Sequence, residues 1–173
     1  MQHLNYFSTF GLPILFSIDQ DDLEKKWRNL SCIIHPDRYV DSDDIDRKAS
    51  IEMASFLNKA YKILKDPILR ASYICEINGI DFEKKFNASS VVFLEQQLIW
   101  RESIDSFSSS KNLDGLKKLE IVLCKERDER LETLSVLLDH SSDYINASVL
   151  INDLKFIDKI FNDVTEKILF LCD

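Results

Sequence analysis

The stretch of sequence that decides the fold covers residues 19–39 and reads DQDDLEKKWRNLSCIIHPDRY. Its apolar side chains recur at intervals of four, three and four residues, at Leu23, Trp27, Leu30 and Ile34. This spacing predicts an amphipathic helix with one apolar face. Asp19 begins the helix as a side-chain cap, and Asp22 lies in its first turn. Pro36 ends it, because the residue before a proline avoids helical backbone angles.

Short helices are predicted on both sides of this stretch. Upstream, residues 6–13 carry aromatic side chains followed by a Gly and a Pro, which predicts a short apolar helix ended by a turn. Downstream, a third helix is predicted to turn one stripe of side chains to the core: Met53, Phe56, Leu57, Ala60, Tyr61 and Leu64. It ends at Asp66-Pro67, and a short helix from about Leu69 to Ile77 follows, closed by Asn78-Gly79.

The second half of the chain predicts three long helices, at about 91–107, 113–140 and 145–171. The last has a regular apolar seam with gaps alternating between four and three: Leu150, Leu154, Ile157, Phe161, Val164, Ile168 and Leu171. Such a seam packs along partner helices, so this half is expected to form a three-helix antiparallel bundle. The whole chain is therefore predicted to be all-α, with a domain at 1–77, a linker at 78–90 and the bundle at 91–173.

Composition narrows the possible functions. The chain has 173 residues and a formal charge of −8, with an isoelectric point near 4.9. Nucleic-acid binding is not expected, because it requires a basic surface that displaces counterions. No apolar run reaches the roughly 18 residues that span a membrane. The first residues resemble neither a secretory signal nor an import leader, so a bacterial cytoplasmic location is the simplest expectation.

Histidines and cysteines are the residues that would indicate an enzyme or a metal site. The four cysteines, Cys32, Cys75, Cys124 and Cys172, are far apart in sequence, so we expect reduced thiols, mostly on buried faces. The three histidines, His3, His35 and His140, are equally scattered. No Glu-x-x-His motif and no Gly-rich phosphate loop is present. We therefore expect no cofactor, no metal site and no enzyme activity.

The tripeptide His35-Pro36-Asp37 lies between the two predicted amphipathic helices. Alone it is a weak signal, because Pro36 could simply stop a helix while Asp37 bonds locally to the backbone. A catalytic role would need His35 paired with an acid in a pocket, and a tight surface turn provides none. Its position on a helical hairpin instead favours a contact with a partner protein.

In this context, residues of about 4–74 resemble a J domain, the module that activates DnaK-type chaperone ATPases. The matching residues occur in order and at the family's spacing: Tyr6-Phe7, Phe10-Gly11-Leu12-Pro13, Leu30, His35-Pro36-Asp37, Asn58, Ala60-Tyr61, Leu64, Asp66-Pro67, Arg70-Ala71 and Tyr73. The resemblance implies that the tripeptide and the basic face before it contact the chaperone. The expected contact residues are His35, Pro36, Asp37, Lys25, Lys26, Arg28 and Arg38.

Local charge agrees with this expectation. Counting Lys25, Lys26, Arg28 and Arg38 against Glu24 and Asp37 leaves a surplus of two positive charges in a chain of net charge −8. A basic surface suits electrostatic steering toward an acidic partner. On its own, however, a basic run is usually only a solvated helix face.

The second half resembles the HscB family, J proteins dedicated to iron–sulfur cluster assembly. The similar segments are FLEQQLIWRE at residues 93–102 and LKFIDKI at residues 154–160. The Gly/Phe-rich linker and the Cys-rich repeats of general J proteins are not found. The resemblance implies that the chain stimulates an HscA-type chaperone. It also implies that the bundle binds an IscU-type scaffold protein and delivers it to that chaperone.

Helical rotation gives a separate argument for the scaffold contact. At about 100° per residue, one face of the first bundle helix is expected to point to the core: Phe93, Gln97, Trp100, Ile104 and Phe107. Leu94 lies roughly 90° from the centre of that face, Leu98 about 130° and Glu102 nearly opposite. Phe156 lies about 110° from the seam of the last helix. Apolar side chains off the core face of two helices indicate a contact surface. Because these are also positions at which HscB proteins bind the scaffold, the resemblance implies a contact surface made of Leu94, Leu98, Glu102 and Phe156. Burial of Leu94 by a second bundle face, or of Phe156 by the J domain, is the alternative.

Three positions depart from the family's pattern. Glu95 stands where an apolar residue is common, and Ile99 and Ser106 stand where better-known members carry acids. These departures concern the details of the scaffold contact and leave the J-domain resemblance untouched. A general J-type co-chaperone for misfolded clients is the alternative function, and a structural helical adaptor would leave the tripeptide unexplained.

Overall fold

The computed structural model describes residues 5–34, 43–82 and 89–172, and all regular structure in these ranges is helical. The helices are α1 (Tyr6–Thr9), α2 (Gln20–Ile34), α3 (Asp44–Lys65), α4 (Pro67–Ile77), α5 (Val91–Ser109), α6 (Leu113–Ser135) and α7 (Tyr144–Cys172). A π-helical turn, Val136–Ser141, extends α6. Contacts divide the chain into a first unit, Met1–Ile74, and a second unit, Cys75–Asp173. The predicted all-α class is confirmed, and no helix within the described ranges has the length and hydropathy to cross a bilayer.

Side-chain caps set where the first-unit helices begin. The Asp19 carboxylate accepts hydrogen bonds from the backbone N–H groups of Asp21 and Asp22, at 2.9 and 3.1 Å. Asp66 likewise accepts from the N–H groups of Ile68 and Leu69, at 2.8 and 2.9 Å. These caps satisfy donors that the first helical turn leaves free. Because Asp66 is the cap, α4 begins at Pro67, two residues earlier than predicted, with proline at the first helical position that it favours.

Aromatic contacts hold α2 against α3. The Trp27 and Tyr61 rings stack with centroids 4.4 Å apart, and the Trp27 indole N–H donates to Asn58 Oδ1 at 3.0 Å. Leu23, one helical turn before Trp27, is fully buried. The structure thus explains why Asn58 and Tyr61 occur together: one aligns the indole edge and the other covers its face.

A second aromatic cluster fastens α1 to α4. The Tyr73 hydroxyl accepts a hydrogen bond from the backbone N–H of Tyr6 at 3.1 Å. The Tyr6 and Tyr73 rings stack with centroids 4.4 Å apart, and Phe7 is fully buried beside them. The short α1 is too small to be stable alone, so this packing maintains it.

Arg70 joins three segments of the first unit. Its side chain is buried, and its Nε donates to the backbone carbonyl of Phe16 at 2.8 Å. Its Nη1 donates to the carbonyl of Leu64, and its guanidinium carbon lies 5.1 Å from the centre of the Phe16 ring. One planar fork therefore ties the loop before α2 to the end of α3 and to α4.

One predicted core residue of α3 is wrong. Leu57, Ala60 and Leu64 are buried as expected, but Met53 is 46% exposed. By rotation Met53 lies on the same face as Leu57. The face was therefore predicted correctly, and the burial one turn earlier along the helix was not. The described neighbours that bury Leu57 do not cover the level of Met53.

In the second unit α5, α6 and α7 enclose one apolar core, as the predicted bundle requires. Its buried members are Phe93, Trp100, Ile104, Leu116, Leu119, Leu123, Ile157, Ile160 and Val164. On α7, Leu154, Ile157 and Val164 of the predicted seam are buried, and Leu150, Phe161, Ile168 and Leu171 are partly buried. Ala147 and Ile151 are also fully buried, so the apolar face of α7 is wider at its start than the seam alone indicated.

The segment after α4 was predicted to be a linker, from residue 78 to residue 90. Gly79 has a φ of +88°, the left-handed backbone that glycine adopts at helix ends. Residues 83–88 lie outside the described ranges, and residues 78–82 belong to the second unit. The contact-based division falls between Ile74 and Cys75, and the domain limits at 77 and 91 stay predictions.

No disulfide joins any of the four cysteines, all of which lie in the described ranges. The expectation that most are buried is wrong, because Cys32, Cys124 and Cys172 are exposed and only Cys75 is buried. Burial, aided by the negative charge of Glu76, raises the pKa of the Cys75 thiol to about 12. This thiol therefore stays protonated at neutral pH and is a poor metal ligand.

Among the described residues of the bundle, the buried carboxylate is Asp153 on α7. It is 8% exposed and accepts a hydrogen bond from the Ser89 hydroxyl. Burial raises the pKa of Asp153 above its ordinary value, although the Ser89 hydrogen bond and the charge of Arg130 act in the opposite direction. The charged form is therefore less favourable in the folded bundle than in the unfolded chain.

The first prediction concerns Arg70. Replacing Arg70 by Lys should lower the free energy of unfolding of the first unit by about 1.5–3 kcal/mol, because an ammonium lacks the planar fork whose separate nitrogens reach the two carbonyls and which lies over the Phe16 ring. Urea unfolding followed by the indole NMR signal of Trp27 measures this unit separately. The matched control is Arg47→Lys, at an exposed arginine of α3. Equal midpoints for the two variants would contradict the proposed role of the fork.

The second prediction follows from the raised pKa of Asp153. When a carboxyl group has a higher pKa in the folded than in the unfolded chain, the protein loses stability as the pH rises through the range between the two pKa values. Asp153→Asn should therefore raise the free energy of unfolding relative to the parent at pH 7, and this gain should shrink as pH falls toward 4. The indole NMR signal of Trp100 reports on this unit. A gain that grows on acidification would show that the sign is reversed.

Candidate functional site

The first candidate surface is the basic side of α2. Lys26 Nζ lies 2.7 Å from a carboxylate oxygen of Asp22, and Arg28 Nε donates to Glu24 at 3.0 Å. This hydrogen bond and the charge of Arg28 lower the pKa of Glu24. Lys25 is exposed and makes no ion pair with a residue in the described ranges. We refer to Lys25, Lys26 and Arg28 as the α2 surface.

The charge of α2 is more balanced than the sequence count suggested. The helix carries three acids, Asp21, Asp22 and Glu24, against its three bases, so its formal charge is zero. The predicted surplus depended on Arg38 and left out Asp21 and Asp22. All three bases have an acid four residues earlier, an arrangement that favours local pairs, but within the described ranges only Lys26 and Arg28 form such a pair. Lys25 is therefore the cation of α2 that is best placed to meet a partner.

The predicted tripeptide contact is not described structurally. His35, Pro36, Asp37 and Arg38 lie outside the described residues, which stop at Ile34 and resume at Asp43. Asp43 then caps α3 by accepting from the N–H of Asp46 at 2.8 Å. The role of the four residues stays a prediction from sequence.

The second candidate surface lies on α5. Leu94 is 48% and Leu98 is 59% exposed, and Glu102 is also exposed. The core side of the same helix is formed by Phe93, Trp100 and Ile104, as the helical rotation predicted. Leu94 and Leu98 therefore face away from the core, and burial of Leu94 by a second bundle face does not occur.

Phe156 lies at the border between this surface and the core. It is partly buried and packs against the core cluster. The centre of its ring lies 6.1 Å from that of Phe93, at an interplanar angle of 84°. The Arg101 guanidinium carbon lies 5.1 Å from the Phe156 ring centre. We refer to Leu94, Leu98, Glu102 and Phe156 as the α5–α7 surface.

Sequence reasoning missed two features of this region. Ile99, noted only as a departure, is 53% exposed, so apolar character extends past Leu98 around the helix. Arg101 was not singled out, although it lies three residues after Leu98 and therefore on the same side of α5. Its contact with the Phe156 ring depends on how α5 and α7 pack, and a single-helix argument gives no access to that.

The concave regions of the bundle are grooves between helices. One groove between α5 and α7 is lined by residues that include Arg101, Asp105, Lys159 and Asp163. In the described part of the chain, no group of three or more His, Cys, Asp or Glu residues is arranged to hold a metal ion. These charges of mixed sign around an apolar floor suit a protein contact.

Comparison with known proteins adds the family. Residues 90–165 match the model of the HSCB C-terminal oligomerisation domain. A co-chaperone protein HscB homolog of Bordetella petrii is 35% identical over 161 residues, covering 92% of this chain and 94% of that protein. A co-chaperone protein HscB homolog of Ralstonia nicotianae is 36% identical over 164 residues, covering 94% and 93%.

A solved structure agrees with both the fold and the family. Chaperone HscB from Vibrio cholerae superposes with a TM-score of 0.84 at 31% identity, covering 94% of this chain and 96% of that one. These similarities extend over both units, whereas a general J protein would share only the first. The general J-type alternative is therefore not favoured. The resemblance inferred from the sequence is confirmed: the chain belongs to the HscB family of co-chaperones.

Proposed function

We propose that this chain stimulates the ATPase of a DnaK/HscA-type chaperone and delivers an IscU-type iron–sulfur scaffold protein to it. Cluster transfer to iron–sulfur proteins is thereby promoted, and the chemistry belongs to the chaperone and the scaffold. The proposed setting is the bacterial cytoplasm, in keeping with the bacterial relatives. The observation that carries the scaffold assignment is the exposure of Leu94 and Leu98 beside Phe156.

In the proposed chaperone contact, His35, Pro36 and Asp37 disturb the contacts that hold the chaperone's ATP state. The α2 surface and Arg38 dock against an acidic surface of the chaperone. Lys25 contributes most to this docking, because Lys26 and Arg28 already have partners on their own helix. Charges at the rim of such an interface chiefly affect the association rate and its dependence on salt.

In the proposed scaffold contact, apolar burial supplies the affinity. Leu94 and Leu98 are consecutive on one side of α5, so a partner side chain can lie across both. Burial of apolar surface contributes about 25 cal/mol per Å². Glu102, one turn beyond Leu98, borders the apolar part and fits a cation or a backbone N–H of the scaffold.

The third prediction tests the chaperone contact. His35→Gln should abolish stimulation of the cognate chaperone's ATP turnover, with at least a tenfold loss, while scaffold binding is retained. The expected separation arises because the tripeptide and the α5–α7 surface belong to different units of the chain. Steady-state ATP turnover measured with this protein and the scaffold, separately and together, gives the result.

The matched control is His140→Gln, which changes an exposed histidine of the second unit in the same way. It should leave stimulation unchanged. Synergy between this protein and the scaffold that survives His35→Gln would overturn the J-domain mechanism.

The fourth prediction tests the scaffold contact. Leu94→Ala combined with Leu98→Ala should weaken scaffold binding about 10- to 100-fold. Together the two truncations remove roughly 1.4–2.8 kcal/mol of apolar contact, and 1.4 kcal/mol corresponds to a factor of ten in affinity. Isothermal titration of the scaffold measures the loss. ATPase stimulation by this protein alone should be unchanged.

The control pair is Ile121→Ala with Val122→Ala on α6. These side chains are 67% and 46% exposed, close to the values for Leu98 and Leu94, so the two variants lose similar exposed apolar groups. If both pairs reduce scaffold affinity equally, the effect is general and the α5–α7 surface is not the binding site.

A further inference from the structure

The side chain of Arg101 on α5 contacts a ring on a different helix. Its guanidinium carbon lies 5.1 Å from the centre of the Phe156 ring, on the neighbouring helix α7. Such a separation is typical of a cation–π contact. The contact crosses between helices and lies at the border of the α5–α7 surface.

The alternative partner of Arg101 would be Asp105, four residues later on α5. Elsewhere in the chain, charged residues four apart do pair, as Lys26 with Asp22 and Lys118 with Asp114 do. Arg101, by contrast, makes no ion pair with a residue in the described ranges. A base that precedes its acid on a helix is the less favourable order. The guanidinium is therefore available to the Phe156 ring.

Arg101 also shares the exposed side of α5 with the two leucines. By rotation it lies about 20° from Leu94 and about 60° from Leu98. It is offset toward the core side, where α7 packs. The aliphatic part of the Arg101 side chain therefore lies next to Leu94 and Leu98 on the surface of α5, and its guanidinium group reaches Phe156 on α7.

We propose that Arg101 is a positioning residue for the scaffold contact, which fixes the Phe156 ring in the orientation that the scaffold meets. This inference rests on the proposed function. Phe93 contacts the ring from the core, with centroids 6.1 Å apart, and Arg101 contacts it from the exposed side. A ring held in place before binding loses less conformational freedom on complex formation.

The same geometry specifies what the scaffold presents. The complementary surface of the scaffold is therefore an apolar side chain that lies over Leu94, Leu98 and the positioned Phe156 ring.

The fifth prediction concerns the affinity of the Arg101 variants. Arg101→Gln should weaken binding of the IscU-type scaffold about 3- to 20-fold, as expected for loss of a cation–π contact. Arg101→Lys, which keeps the charge, should recover part of that loss. Lys117→Gln on α6, which removes one exposed charge elsewhere in the unit, should have no effect. Isothermal titration with the full-length chain measures all four proteins.

A double-mutant cycle separates positioning from an independent contact. Phe156→Leu keeps most of the apolar volume but removes the ring. If Arg101 acts through the ring, adding Arg101→Gln to Phe156→Leu costs no further affinity, whereas adding it to Leu98→Ala costs the full amount. Full additivity with Phe156→Leu would overturn the positioning role.

A second readout needs no scaffold. The aromatic NMR signals of Phe156 should shift in Arg101→Gln and stay in place in Lys117→Gln, and unchanged Phe156 signals in both would overturn the inference. If Leu94→Ala/Leu98→Ala loses scaffold binding and Arg101→Gln does not, the role of Arg101 is overturned and the proposed function stands. A parent protein that binds no scaffold would overturn the proposed function as well.

Discussion

The edge-to-face contact between Phe93 and Phe156 connects the core of the bundle to its exposed surface. Phe93 also meets Trp100, with ring centres 6.0 Å apart at 79°, and the Arg130 guanidinium lies 5.0 Å from its ring centre. Trp100 is itself buried, and Arg130 also donates to the backbone carbonyl of Glu126, so both of these neighbours of Phe93 are held by other contacts. Phe156 takes its position from this arrangement, because its ring meets α5 through Phe93 and Arg101. A change in core packing at Phe93 would therefore change the surface without altering a surface residue.

The first unit obtains its order by a different route. Two of its helices are short, α1 with 4 residues and α4 with 11, so the contacts that hold them matter more than their own helical stability. The Arg70 fork, the Trp27–Tyr61 stack and the Tyr6–Tyr73 stack each join segments distant in sequence. Together they fix both helices that flank residues 35–42. A contact made by the tripeptide can then act against a rigid support, as the proposed activation of the chaperone requires.

Sequence reasoning predicted correctly those features that depend on a single helix. The exposed position of Leu98 follows from rotation around α5 alone, and the start of α2 follows from the capping chemistry of Asp19. It failed where a second element decides the outcome. Met53 shares the face of Leu57, but the neighbours that bury Leu57 do not extend to it. The local pairing of Lys26 and Arg28 agrees with the acids four residues before both, but the same spacing holds for Asp21 and Lys25, and only the structure shows which bases pair.

The α5–α7 surface illustrates why contacts between helices could not be predicted from the sequence. Rotation placed Phe156 off the seam and so indicated exposure, yet the ring is partly buried. Rotation around one helix axis gives the direction of a side chain, but it does not show which side chains of the neighbouring helix contact it. Here the adjacent helix places Phe93 on one side and Arg101 on the other. A surface whose anchor is held between an arginine and a core aromatic ring is preorganised. We therefore expect Ile99, which stands where the family resemblance implies an acid, to alter the rim of the proposed scaffold contact and to leave the position of Phe156 unchanged.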